Sequence, residues 1–244
     1  MSEIWIKSHS VETWCDPNIW SKFFGELEEI LSAKLTNLDI NDPPKRKVGR
    51  NEIASAGTYV TQFGPDKVSR WIFGRFKDAK VDFTIHHHKT LRVDVNDFSN
   101  SLTFFFAESI CADVVKNRTI ERLFDLTNEC FSPFYSFTDL IDMIVKKKKS
   151  RGAVNLQQEL IGVFWLTYFN GKYVEFFGDD RFRSELATPC DRGMKIKLGS
   201  QPINIGPTIR ADLEAELGAK HFVDPKSSRS KKAGEAALLF SELH

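Results

Sequence analysis

Two periods alternate along the chain. After Asp16, apolar residues recur at helical spacing: Trp20, Phe23, Phe24, Leu27, Ile30 and Leu31 share one face, with Lys22, Glu26 and Glu29 on the other. Asp16 can accept from the free N–H groups of a first turn, and Pro17 suits the first helical position. A helix ending near Leu35 is predicted, followed by the polar, proline-broken loop "NDPPKRKVGRN" (41–51). From Gly57 the period falls to two. "TYVTQF", "VSRWIFGRF", "VDFTI", "LRVDV" and "LTFFFAE" read as five strands separated by turn-forming segments, most economically joined as an antiparallel meander.

Alternation also sets an expected register around "TIHHHKTLRV" (84–93). Pairing Ile85 with Leu91, Phe83 with Val93 and Val81 with Val95 keeps one face apolar, because cross-strand partners share a face. His86 to Thr90 would then form an exposed hairpin tip. A zinc site needs three or four converging ligands, and neighbouring strand residues point apart, so only His86 and His88 could share an ion. The run therefore reads as a turn, and no metal is expected.

Helical spacing returns at roughly 110–130, where Ile120, Leu123, Phe124, Thr127 and Phe131 form a stripe, and again after Ser136 with Phe137, Leu140, Ile141, Ile144 and Val145. "KKKKSRG" (146–152) is the sharpest change of composition. It divides a helix-plus-sheet lobe (1–150) from a smaller α/β lobe (151–244), or is a long loop within one continuous domain. The second part reads as a strand at 160–169, a short helix at Tyr173–Phe177, a hairpin from "MKIKLG" and "QPINIG", a helix from Pro207 to Leu217, and a strand at "KHFVD". The tail begins with "DPKSSRSKKAGE" and frays, although "AALLFSEL" could dock as a helix. The expected fold class is α+β: an antiparallel meander sheet of about five strands with packed helices, plus a smaller C-terminal α/β lobe.

Composition narrows the function. Apolar residues are 41% of the 244, and Phe occurs 21 times, so the core should be built from rings. With 34 basic and 33 acidic residues, the net charge of +1 gives no global field for nucleic acid or an anionic membrane. "KKKKSR" lacks interleaved aromatics and reads as an exposed loop. Neither nucleic acid nor membrane is an expected partner. Cys15, Cys111, Cys130 and Cys190 form no C-x-x-C pair. Glu3, Lys7, Glu12 and Asp16 interrupt any signal-peptide stretch, and the longest apolar run, "IGVFWLTYF", falls short of a membrane helix. Reduced thiols in a cytoplasm are expected.

No phosphate-binding, dinucleotide-binding, nucleophile-elbow or H-E-x-x-H motif is present. Cys111 and Cys130 fall in helical stripes, where inert thiols are usual. Cys190 follows Pro189 in a loop; with a histidine and Glu175 it would carry the alternative function, a hydrolase or transferase with an unrecognised active site. Glu175, Asp179 and Asp180 cluster at a Gly turn, while Asp82 and Asp94 alternate against an apolar face as on a solvated sheet. No cofactor is expected.

The most distinctive stretch is "GVFWLTYFNGKYVEFFG" (162–178), a buried strand, an Asn170–Gly171 reversal and a short helix stopped by Gly178. Tyr168, Asn170, Tyr173 and Glu175 combine aromatic area with polar groups, the mix that interface hot spots favour, provided a ring reaches solvent. The competing reading makes both tyrosines core. W-x-x-Y-F, then G-x-Y-V-E-F-F-G, then "ELGAKHFVD" resembles bacterial immunity-type proteins of polymorphic-toxin and contact-inhibition loci, over about Phe164 to Asp224. The family pattern often has Gly-Pro after the strand, where this chain has Asn170–Gly171–Lys172. The resemblance implies a non-enzymatic, cytoplasmic protein that occludes a cognate protein toxin. The neutral charge does not require that toxin to be a nuclease.

Overall fold

A computed structural model of the chain describes residues 3–49, 52–65, 67–91, 99–107, 114–148, 154, 156, 159–183, 185–206 and 208–226. The N-terminal helix forms as expected, as α1 (Pro17–Leu31). Asp16 accepts from Asn18 N at 2.8 Å, Trp20, Phe23, Phe24 and Leu27 are buried, and Ser32 ends the helix in the left-handed region at φ 48°.

The fold is α+β, but its antiparallel sheet has nine strands rather than about five. The strands are β1 (Ile4–Ser10), β2 (Asn37–Asp39), β3 (Ser69–Phe76), β4 (Val81–His88), β5 (Asn100–Phe106), β6 (Tyr135–Leu140), β7 (Leu166–Asn170), β8 (Ala187–Cys190) and β9 (Gly193–Lys197). Their order is β2-β3-β4-β5-β1-β6-β7-β9-β8. β1, from a stretch given no structure above, lies at the centre, with Ile6 opposite both Phe104 and Thr138. β6 pairs with β7 across the lysine run, so one sheet passes through both halves of the chain.

Several elements differ from expectation. "TYVTQF" belongs largely to a helix, α2 (Ile53–Thr61), whose Ala56, Gly57 and Val60 pack inward. Gly57 makes this possible: a Cβ there would lie 2.3 Å from Pro17 O and Ser21 Oγ of α1. The helix expected after Ser136 is instead strand β6, with α4 (Ile141–Lys148) beginning only where it ends. Residues 135–139 are buried on both faces, and Tyr135, Ser136, Phe137 and Thr138 do alternate, but Phe137 and Leu140 also continue the apolar stripe of α4 backward at helical spacing. "QPINIG" forms no hairpin with "MKIKLG"; β9 pairs with β7 and β8. "KHFVD" contributes a 3₁₀ turn at Ala219–His221 and a single bridge from Phe222 to Leu160.

The histidine hairpin is also corrected. Ile85 pairs with Ile72 and Leu102, on β3 and β5, and so is unavailable to Leu91. The histidines lie inside β4, with His87 0% and His88 3% exposed, and His86 is stacked on Trp71. Alternation was the right criterion, but two other strands satisfy it. Residues 92–98 and the tail from 227, including "AALLFSEL", lie outside the described residues.

Two cores form on opposite faces. Over β3, β4, β5 and β1, the rings of Phe76, Phe83, Phe104 and Phe106 meet α1 and α3 (Val114–Phe131). Tyr135, Phe137, Phe169 and Ile196 point the other way and meet α5 (Gly171–Phe177) and α6 (Ile209–Gly218). Asp139 ties this second core together. Its buried carboxylate accepts from Leu140 N at 2.8 Å, Trp165 N at 3.0 Å and Arg210 Nη2 at 2.7 Å.

Candidate functional site

β7 delivers Tyr168 and Asn170 to the corner at which α5 starts. Asn170 is extended, at φ −69° and ψ 171°, so Asn-Gly makes no left-handed reversal here. Asn170 instead caps α5, accepting from Tyr173 N at 3.1 Å. The corner is held against β9: Gly171 N donates to Arg192 O at 2.8 Å, and a Cβ on Gly193 would stand 2.0 Å from Phe169 O. Only glycine allows this approach. Gly178 closes the helix at φ 90°.

The four residues singled out in sequence part company here. Tyr173 is 0% exposed, among Phe134, Phe169 and Phe177, and its hydroxyl has no partner. Burial drives its pKa far above the phenol range. Tyr168 is 3% exposed on the opposite face, and burial pushes its pKa up to about 12. Neither ring is exposed. Glu175 reaches solvent, and Asn170 is half-buried.

Tyr168, Asn170 and Glu175 nevertheless share a groove. A depression of about 360 Å³ is lined by all three together with Glu12, Ser132 and Arg192. A second, of about 350 Å³, adds Asp125, Asn128, Glu129, Cys190 and Lys195 around Tyr168 and Arg192. A third, of about 500 Å³, extends from Arg192 and Ser132 past Glu129 to Trp14, Ile19 and Trp20. Arg192 lines all three and donates to Ser132 Oγ. The groove runs from α1 past the C-terminal end of α3 to the β7–α5 corner. One wall is fixed by ion pairs between α3 and β9: Lys195 with Asp125 at 2.9 Å, and Lys197 with Glu121 at 2.6 Å. Burial opposes a charge on Lys195, but the Asp125 and Glu121 carboxylates outweigh it and hold its pKa above the usual lysine value.

The chain folds like the Pseudomonas aeruginosa T6SS protein PA0821. The likeness has a TM-score of 0.63 at 15% identity and covers 99% of this chain and 81% of that one. No family model matches the chain, and no curated protein matches it. Where the sequence resemblance reached only residues 164–224, the shared fold includes β1, α1 and the groove-forming elements.

The thiol chemistry falls elsewhere than expected. Cys190 is exposed as a residue and its Sγ donates to Thr188 O at 3.6 Å; partial desolvation of that sulfur, the largest cause, pushes its pKa up, away from the activated range. No histidine lines the depressions that contain Cys190 or Glu175. Among the described residues, the thiol that meets an imidazole is the exposed Cys15, 3.8 Å from His87 Nε2. His87 Nδ1 lies 3.3 Å from Val60 O, an acceptor, so that nitrogen carries the proton. Spacing gave no sign of this pair, which are 72 residues apart. Among the described residues, no three metal-ligating side chains are grouped to hold an ion, and no helix is long and apolar enough to cross a membrane.

Proposed function

We propose that this chain is a non-enzymatic, cytoplasmic protein-binding protein of the immunity type, which occludes a cognate bacterial toxin. The observation that carries the reading is the fold it shares, over nearly its whole length, with a T6SS protein. The resemblance of residues 164–224 to immunity-type proteins of toxin loci points the same way. The groove centred on Arg192 supplies a surface of suitable character, with apolar floor, charged rim and three connected depressions. Such an inhibitor acts by covering a toxin surface, so it needs rigid complementarity rather than an activated nucleophile. The test is co-purification of the tagged chain from its native host. Recovery of a stoichiometric secreted-toxin polypeptide supports the reading, and repeated recovery of the chain alone counts against it.

A second reading, a hydrolase or transferase, is favoured by the Cys15–His87 contact. It requires His87 to draw the thiol proton. Burial holds His87 near a pKa of about 4, which disfavours the imidazolium that such a transfer creates. Alkylation of Cys15 by iodoacetamide no faster than that of a free cysteine would remove this reading.

A further inference from the structure

The face of β3, β4 and β5 that looks away from α1 and α3 carries rings that solvent reaches. Register sets its positions: Trp71, His86 and Ser101 form one cross-strand row, Phe73, Thr84 and Thr103 the next, and Arg75, Asp82 and Phe105 the third. The second core covers the same side of β6, β7 and β9 but takes in no residue of β3, β4 or β5. Trp71 is 51% exposed and stacked on His86 at 4.1 Å, while Phe73 and Phe105 are half-buried and border a depression of about 250 Å³. Trp5 meets Phe105 edge-on at 5.2 Å and extends this surface toward the second core. Contiguous exposed rings of this kind mark a docking surface.

Charge on the same face indicates the occupant. Lys7 lies between Thr103 and Phe137 in the register and is half-buried. Its ammonium makes no hydrogen bond or ion pair among the described residues, and neither does that of Lys148 at the end of α4. Burial lowers the Lys7 pKa to about 8, and the Lys148 charge assists. The face therefore suits an apolar segment with acids along one edge.

The chain contains such a segment. In "EAALLFSEL" (235–243), Ala236, Leu239, Phe240 and Leu243 share one face at helical spacing, and Glu235 and Glu242 line one edge of it. Phe222 stacks on Phe177 in the second core, so the chain leaves on the same side of the sheet as Trp5 and Lys7. From β6 to β3 is four strand spacings, about 19 Å, and residues 227–235 can span about 30 Å. Residues 236–243 as a helix are about 12 Å long, enough to cross from β5 to β3.

We propose that residues 236–243 dock as a helix on the open face of β3, β4 and β5, with the apolar stripe on Phe73, Phe105 and Trp71 and the Glu235–Glu242 edge toward Lys7 and Lys148. This contact closes one side of the sheet and leaves the groove around Arg192 free for a partner. It rests on the chain's own residues and not on the function proposed above.

The experiment places the photo-crosslinking amino acid p-benzoyl-phenylalanine at position 240 of the full chain, irradiates it and maps the products by mass spectrometry. Crosslinks within one chain to β3, β4 or β5 are expected. Glu235→Lys with Glu242→Lys should lower their yield about threefold, the loss for a partly exposed ion pair. Circular dichroism verifies that each protein folds. A second measurement avoids the probe: in Leu239→Asp with Phe240→Asp, the Trp71 indole N–H resonance, assigned with Trp71→Phe, should shift from its position in the parent. Crosslinks elsewhere in the chain, crosslinks between two chains, a yield unchanged by the charge reversal, or an unmoved Trp71 resonance overturns the inference.

Discussion

Acidification should destabilise this protein through His87 in a defined pH window. The imidazole is 0% exposed, its Nδ1 faces Val60 O, and Phe63, Trp14 and the Cys15 side chain close around it. Burial, the largest cause, lowers its pKa from 6.5 to about 4, with Val60 O opposing and His88, Arg70 and His86 assisting. The unfolded chain binds the proton below pH 6.5, whereas the folded chain resists until about 4. His87 stability is therefore fully present above 6.5 and is lost as pH falls toward 4, at up to about 1.4 kcal/mol per pH unit. The integrated loss is about 3 kcal/mol. Urea denaturation at a series of pH values, for the parent and His87→Gln, isolates this contribution from that of His9, which burial also holds neutral. The variant can be less stable at pH 7, but its stability should fall less steeply between 6.5 and 4. Parallel pH profiles for the two proteins would refute the assignment of a buried, neutral His87.

Substitutions at three other positions probe the frame. Tyr173→Phe removes a buried hydroxyl that has no partner and should stabilise by about 1 kcal/mol, raising Tm by about 2–4 °C, whereas Tyr173→Ala should cost about 3–5 kcal/mol; a thermal melt of each decides. Arg210→Met strands the Asp139 carboxylate and should cost about 3–5 kcal/mol in urea titrations at pH 7. Burial already raises the Asp139 pKa against the pull of Arg210, so that cost should shrink on acidification, as the carboxyl accepts a proton. Gly193→Ala forces a Cβ into Phe169 O and should cost about 1–3 kcal/mol, with amide exchange accelerated first across β7 and β9.

The sequence was legible where one signal acted locally. In α1, cap, first-turn proline and apolar stripe agree, and the helix appears where they put it. Strands β3, β4 and β5 were visible in their alternation, but alternation does not name a partner. Ile85 fits Leu91 as well as it fits Ile72 and Leu102, and choosing the local partner placed buried histidines at a loop tip. β1 alternates too, as Ile4, Ile6 and Ser8, yet Lys7 and Glu3 made it look merely polar. β6 was lost although Tyr135 and Phe137 alternate with Ser136 and Thr138, because Phe137 and Leu140 also fit the helical stripe that continues through Ile141 and Ile144 of α4. The groove shows the same division. One segment supplies Tyr168, Asn170 and Glu175 to its lining, although neither tyrosine ring reaches solvent as the recognition reading required, while Glu12, Trp14, Glu129 and Arg192 join them only through the order in which distant strands pair. Tyr173 looked equally suited to recognition, because composition does not tell which face of a short helix turns inward.

The central claim is most directly tested by growth. The toxin recovered with this chain, or encoded beside it, is to be expressed in a susceptible bacterial host with and without the chain. The account predicts that cells expressing the toxin alone stop growing. Cells that also make this protein should grow normally, with the two polypeptides recovered as a stable complex. Arrest that persists despite abundant folded protein, or rescue without any complex, would contradict occlusion as its mode of action.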